Sequence, residues 1–426
     1  LDLSALTSSV NSLSLKVITA YFFITITLAA TGNAFAIVDM IAARMGGAKL
    51  SIYRIYDDGS SKILATYDMA YYTTKPNIFY AADGNVYVVQ PDHQSAYCNI
   101  LVAYFDPSKP NADGSYNINM KRESRAYSGG DAPGGYGYIQ PMLDDANHRI
   151  IIMCCGGKTD GYFGWFIYDY KTHQFESQTF ATVLNTNRHC YIYGYSDGKN
   201  GMYVVGGRDM ELSEIGLNHV VQNIDYAFDE VNLFYFPDMH SSECIRTCVT
   251  EADYSQIDRG LFPDTINNCT GDTFLDSQGY FHVITSTTYH AANHDIIVYG
   301  QMQYVVFDAK THGANPKLVY TSPIAFGAHS NRNHVRFTES TDGTVYIIAC
   351  NHADEENTAR FEIWRQKPGV FEYELVACKV FSGQSAPRNS LMIGNNRNGS
   401  VIDDTVTVMY PAGWSGPYKF FTITLP

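Results

Sequence analysis

Cationic residues are scarce in this chain: 29 Lys and Arg stand against 43 Asp and Glu over 426 residues, a formal net charge of -14 at pH 7. That imbalance excludes a general affinity for nucleic acid or an anionic membrane and leaves room only for local basic pockets. Uninterrupted apolar runs are also lacking. The most lipophilic stretch, Val17 to Met40, is broken by Thr19, Thr25, Thr27, Thr31, Asn33 and Asp39. Its Thr and Ile alternate as in strands, and no charged segment precedes it, so neither membrane insertion nor a signal peptide is expected. The nine cysteines are odd in number and include no CxxC pair, which argues against a structural zinc site, and a chain this long needs no disulfide scaffold. Cys244 and Cys248 are spaced for a local bridge, but buried free thiols are the expected state. GxSxG and HExxH are absent, and Gly129-Gly130 and Gly134-Gly135 lack the strand-to-helix setting of a phosphate loop. His290 and His294 are four apart in a loop, a weak metal pair, and no metal or other cofactor is expected to be required.

What the chain has is strand-forming material: 45% hydrophobic residues, 33 Tyr and 23 Phe. Seven times a strand-like run breaks at a small-residue turn and resumes. The turns are Thr31-Gly32-Asn33, Asp83-Gly84-Asn85, Asp145-Ala146-Asn147, Asp197-Gly198-Lys199, Ser277-Gln278-Gly279, Asp342-Gly343-Thr344 and Asn398-Gly399-Ser400. Their spacing averages about 61 residues, the size of a four-stranded propeller blade with long loops. The fold expected is all-β, a seven-bladed β-propeller of mostly four-stranded antiparallel blades over residues 18–426. Its first inner pairs are Phe22 to Leu28 with Ala34 to Met40, and Asn77 to Ala82 with Val86 to Gln90. Met239 to Asp264, rich in Asp, Glu, Cys and Ser, is expected to form an elaborated loop or short helix. Residues 1–17 form a separate N-terminal segment. A strand over Leu13 to Ala20 closes the last blade, or Leu6, Val10, Leu13 and Val17 form a short heptad seam through which the chain oligomerises.

In each blade the inner strand runs away from one face and the second strand returns to it, so the outer ends of these pairs meet at one rim. Incoming ends supply Lys75, Tyr136, Tyr138, Asn187, Arg188, His189, Asn268, Arg332, His334 and Arg388; outgoing ends supply Asp92, His93, Lys158, Arg208, Asp209, His290, His294, Asn351, His352 and Trp414. Lys75, Arg188, Arg332 and Arg388 lie nine to eleven residues ahead of their turn glycines. Cations repeated in one register around an axis make a pocket for an anionic ligand. Tyr191, Tyr193 and Tyr195 share one strand face, and at least two of them are expected to pack between blades.

The units Asn77-Ile-Phe-Tyr-Ala-Ala-Asp-Gly-Asn-Val-Tyr-Val-Val and Val335-Arg-Phe-Thr-Glu-Ser-Thr-Asp-Gly-Thr-Val-Tyr-Ile-Ile resemble repeats of BNR-type propellers. That group includes sialidases and the seven-bladed lyases acting on ulvan or rhamnose-glucuronate linkages. Sialidase repeats read SxDxGxTW, and Ser340-Thr-Asp-Gly-Thr-Val lacks both that spacing and the Trp. The lyase resemblance implies His and Tyr for proton transfer and Arg to neutralise a uronate. Matched to this chain, it makes His189 or His334 the base, Tyr138 or Tyr193 the acid, and Arg188 with Arg332 the neutralisers. Lys75, His93, Tyr136, Arg208, His290, His352, Arg388 and Trp414 then bind substrate. The reading is an extracellular or secreted polysaccharide lyase acting on an acidic glycan. A non-catalytic glycan- or receptor-binding propeller and a sialidase-like hydrolase are the alternatives.

Overall fold

The structure is a computed structural model, and it describes residues 11–13, 24–29, 39–46, 49–55, 61–68, 76–91, 100–123, 139–155, 162–183, 190–211, 226–250, 265–290, 297–311, 318–324, 335–352, 358–382, 391–393, 404–411 and 418–426. Among the described residues, apart from two short 3-10 turns, Asp145–Asn147 and Ala309–Thr311, all regular elements are strands. No helix among the described residues is long and apolar enough to cross a membrane.

The first strand, β1 (Asn11–Leu13), belongs with the last blade. Blade one holds β2 (Ile24–Ala29), β3 (Asp39–Gly46), β4 (Lys49–Ile55) and β5 (Ser61–Asp68). Blade two holds β6 (Asn77–Tyr80), β7 (Val86–Pro91), β8 (Ile100–Phe105) and β9 (Asn119–Glu123). Blade three holds β10 (Ile139–Asp144), β11 (Arg149–Cys155), β12 (Tyr162–Asp169) and β13 (Gln174–Val183). Blade four holds β14 (Cys190–Ser196), β15 (Met202–Glu211), β16 (Tyr226–Phe236) and β17 (Ile245–Thr250). Blade five holds β18 (Thr265–Leu275), β19 (Tyr280–His290), β20 (Ile297–Asp308) and β21 (Leu318–Ile324). Blade six holds β22 (Val335–Glu339), β23 (Val345–His352), β24 (Thr358–Gln366) and β25 (Tyr373–Ser382). Blade seven holds β26 (Met392–Ile393), β27 (Thr405–Pro411) and β28 (Tyr418–Thr424), with β1 as its fourth strand through Asn11↔Phe420 and Leu13↔Tyr418. The inner strands touch in sequence from β2 through β6, β10 and β14 to β18 and β22, and β26 meets β2, which closes the ring. The chain is thus a seven-bladed propeller of four-stranded antiparallel blades.

Why these sequences form blades is clearest in the second strands. On β7, Val86 and Val88 join Leu50 and Ile52 of blade one, while Tyr87 and Val89 join Ile150 and Ile152 of blade three. On β15, Met202 and Val204 meet Trp165 of blade three; Tyr203 and Val205 meet Phe281 and Val283 of blade five. On β23, Val345 and Ile347 face Ile284 and Val306, and Ile348 and Cys350 face Val406 and Val408. Both faces are buried, which is why these strands are continuous apolar runs without polar alternation. Each such side chain contributes roughly 1.5–3 kcal/mol.

The hairpin turns require left-handed backbone: Gly84 sits at φ 82° and Gly343 at φ 82°, where an L side chain is strained. Blade three uses His148 there, at φ 57°, closing the Asp145–Asn147 turn.

Two expectations change. The second strand of blade one runs through Asp39–Gly46, past the expected end at Met40, with Ala29 paired to Asp39 and Ile24 to Arg44; residues 34–38 lie outside the described residues. Within Met239 to Asp264, residues Ile245–Thr250 form β17, the outer strand of blade four, paired along β16 from Tyr235↔Ile245 to Glu230↔Thr250. Cys244 and Cys248 form no disulfide, as expected, but Cys244 is half-buried and Cys248 exposed, whereas Cys154 and Cys350 are buried thiols. The turns at Gly32 and Gly399 lie outside the described residues, as do residues 14–20 of the expected closing strand.

Gly194 lets blades three and four approach: a Cβ there would lie 2.8 Å from Met142 Sδ and collide with Met153 Cε. Gly194→Ala is expected to cost about 1–3 kcal/mol by overpacking, measured by denaturant unfolding, and Met153→Val in the same chain should recover most of the loss.

Candidate binding rim opposite the hairpin face

Polar contacts between consecutive blades show that the hairpins share one face. The Ala82 N–H donates to Asp145 Oδ1 at 3.0 Å, and Arg149 Nη2 donates to Lys199 O at 2.6 Å. Tyr203 Oη donates to Ala309 O at 3.0 Å, the Ser277 N–H to both Glu339 oxygens at 3.1 Å, and the Thr341 N–H to Asp404 Oδ1 at 3.1 Å. These links join blades two through seven at their turns, so the opposite strand ends of those blades also lie together and form a rim.

The hairpin face absorbs much of the acidic charge. Asp83 accepts the Asn85 N–H at 2.9 Å, Asp197 the Lys199 N–H at 2.8 Å, Asp276 the Tyr280 N–H at 2.7 Å and Asp342 the Thr344 N–H at 2.9 Å. Such turns satisfy backbone donors with side-chain oxygens. The Ser340 hydroxyl, with the Thr344 contacts, holds the Asp342 carboxyl below its usual range. Burial pushes the Glu339 carboxyl up despite its bonds to Ser277, and Asp276 nearby adds to the rise.

At the rim, the ladders fix which positions share an end. In blade four, Arg208 faces Cys190, the residue after Arg188-His189, and the β15–β16 register shifts between Gly207 and Asp209, so Arg208 sits in a bulge. Bulges recur at the rims of sheets beside binding sites. In blade six, Val335, which follows His334, faces Ala349, two residues before Asn351-His352 at the end of β23. His290 ends β19 opposite Ile297 of β20, and Asn268 faces Thr287. Asp209 lies on β15 opposite Phe228.

Tyr193 packs against the apolar cluster of Tyr195, Tyr203 and Val205 between blades four and five, and Tyr195 is itself 7% exposed. Two of the three alternating tyrosines therefore serve packing. Lys75, Asp92, His93, Tyr136, Tyr138, Lys158, Asn187, Arg188, His189, His294, Arg332, His334, Arg388 and Trp414 lie outside the described residues.

Three sets of polar contacts escaped the sequence reading, although His282 itself reads there as a structural or exposed strand histidine. The interblade acceptors Asp145, Glu339 and Asp404 follow their donors by 63, 62 and 63 residues; a search for acids one blade period downstream of each turn would have found them. His282, wholly buried, places Nε2 2.9 Å from Asp276 Oδ2 and Nδ1 2.5 Å from the Tyr304 hydroxyl. Tyr373 of blade six reaches Tyr304 Oη at 3.3 Å, so this network ties blades five and six together at their hairpin side. Gln90 and Asp272 are buried inside the blades, and Asp272 accepts the Phe337 N–H at 2.9 Å.

The raised Glu339 pKa gives its stabilising contribution a defined sign. The folded protein holds the extra proton more tightly than the unfolded chain, so this contribution is full below the ordinary value of 4.5 and is lost as pH rises through the folded value. The stability difference between wild type and Glu339→Gln, from urea unfolding at several pH values, is therefore expected to shrink as pH rises from 4.5 toward neutrality. A difference that grows over that range contradicts the assignment.

No protein-family model and no curated protein matches the sequence. Solved structures resemble it in fold. The polysaccharide lyase Uly1 superposes with a TM-score of 0.55 at 13% identity, covering 99% of this chain and 91% of that one. An α-L-arabinanase from Penicillium chrysogenum, complexed with arabinobiose, gives 0.44 at 8% identity over 98% of each chain. The Aleuria aurantia lectin, bound to α-methyl-L-fucoside, gives 0.40 at 8% identity over 87% of this chain and 98% of that one. At these identities the lyase shares its fold with this chain, and the two lower scores add no argument.

Proposed function

We propose that the protein is a polysaccharide lyase that cleaves a uronate-containing acidic glycan by β-elimination at the rim. The observation that carries this reading is the register of two blade ends: Arg208 stands opposite the residue after Arg188-His189, and the residue after His334 stands two positions short of the level of Asn351-His352. In a chain short of cations, two ends that each bring a His and an Arg together, His189 with Arg188 and Arg208 and His334 with Arg332, supply a base beside a counter-charge. The resemblance of the DGxVYV-like units to BNR-type propellers supports it, and the fold is one that a described polysaccharide lyase also adopts.

The chemistry follows from the acidity of the C5 proton beside the uronate carboxylate. Arg188 and Arg332 offset that carboxylate, so the charge developing at C5 on proton removal is stabilised. His189 or His334 takes the proton. The C5–H electron pair becomes the C4–C5 double bond as the C4–O bond breaks, and a Tyr hydroxyl gives its proton to the departing oxygen. Tyr138 is the better donor, because Tyr193 packs among apolar side chains. Lys75 and Arg388, with His93, Tyr136, Arg208, His290, His352 and Trp414, hold the flanking sugars, and the reaction needs no cofactor. A polymeric substrate of this kind places the enzyme outside the cell.

Incubation with polygalacturonate, alginate, hyaluronan and ulvan is expected to raise ultraviolet absorbance with one of them, from the new double bond. His189→Ala or His334→Ala should lower kcat by about 10²–10⁴-fold, the usual worth of a general base. Arg332→Ala should lower kcat/KM with thermal stability unchanged. Binding without product across the panel would replace the lyase with a glycan-binding propeller.

A further inference from the structure

Among the described residues, the non-glycine positions with left-handed backbone are both histidines of blade three: His148 at φ 57° and His173 at φ 55°. His148 closes the turn between β10 and β11. His173 closes the β12–β13 hairpin, directly after the turn in which Asp169 Oδ1 accepts the Lys171 N–H at 2.8 Å and the Thr172 N–H at 3.0 Å. The corresponding connections of blades two and six use Gly114, at φ 73°, and Gly369, at φ 74°. A side chain larger than hydrogen persists in this region when its surroundings hold it there, and such positions gather at switches and functional sites.

The His173 ring makes the holding contact, and it makes it across a blade boundary. It stacks on Tyr104 of blade two with centroids 4.1 Å apart and planes 9° from parallel. Its Nδ1 lies 3.4 Å from Tyr168 Oη of its own blade. Tyr104 stacks in turn on Tyr87 at 5.6 Å and 24°, and Tyr87 meets Tyr168 at 6.2 Å and Tyr170 at 5.5 Å. Because Tyr87 and Tyr104 are ladder partners beside the blade-two turn, the cluster fastens the third strands of two consecutive blades at the hairpin face.

The ring is half-buried, and charged groups face it from several elements. Asp83 on the β6–β7 turn and Asp169 on β12 favour a charged ring, whereas Lys121 on β9 opposes one. Burial has the largest effect and keeps His173 below its ordinary value of 6.5. The neighbouring phenols of Tyr87, Tyr104 and Tyr168 stay protonated, because burial raises all three.

We propose that His173 is an acid-released clasp between blades two and three: its neutral ring holds their outer halves together at the hairpin face, and taking up a proton lets them part. The unfolded chain binds this proton more tightly than the folded protein does. The contribution of the clasp is therefore full above pH 6.5 and is lost as pH falls through the folded value. Glu339, between blades five and six, has the opposite sign, since burial raises its carboxyl. Acid thus loosens one sector of the ring while another holds. The clasp lies opposite the rim, and the inference does not depend on the lyase reading.

The test compares melting temperatures of the full chain and two variants between pH 7.5 and pH 5.5. His173→Phe keeps a flat ring over Tyr104 without a titrating group, and His173→Gly removes the ring and accepts the left-handed backbone. Groups that titrate elsewhere, such as His148 and Glu339, are common to all three chains and cancel in the differences. On acidification wild type is expected to lose about 1–2 °C relative to each variant. Hydrogen exchange of wild type, corrected for intrinsic rates, is expected to speed up in acid at residues 100–105 and 166–175 and not in blades five and six. If His173→Phe does not fold, His173→Gly carries the comparison. Differences that stay constant with pH overturn the proposal. So does a wild type that gains in acid, as attraction of a charged ring to the Tyr104 face would give.

Discussion

Burial of the second strands on both faces is the constraint on which everything else rests. A strand such as Arg149–Cys155 satisfies two neighbours at once, with Ile151 and Met153 in one interblade core and Ile150 and Ile152 in the other. No blade is therefore complete alone, and each interface is shared property. Six such cores recur between consecutive blades among the described residues. The small side chains demanded by close approach, as at Gly194, follow from the same constraint.

That packing separates the two ends of the molecule by role. At the hairpins, backbone donors and carboxylates cross from blade to blade, which gives an acidic chain an arranged use for its charge. The strand ends at the other side are where the sequence places the candidate site residues, so the proposed function sets recognition on the face opposite these links.

The architecture was legible in the sequence because turn chemistry and apolar runs repeat at one period, and both are local signals. Where the signal was not local, the reading slipped. The second strand of blade one extends past Met40 to Gly46, and only its pairing with Ile24–Ala29 and Lys49–Ile55 reveals the extension. Ile245–Thr250 sits in polar surroundings, and an outer strand with one covered face carries a weaker pattern than an inner one. At the rim, position along the strand was legible and side-chain role was not: Tyr193 follows the same alternation as Tyr195, and that phase sends it into the core.

The interblade bonds at the hairpins recur at 63, 62 and 63 residues, and that regularity bears on engineering. Lengthening a hairpin displaces a donor that the adjacent blade also uses, so a graft there loosens two blades at once.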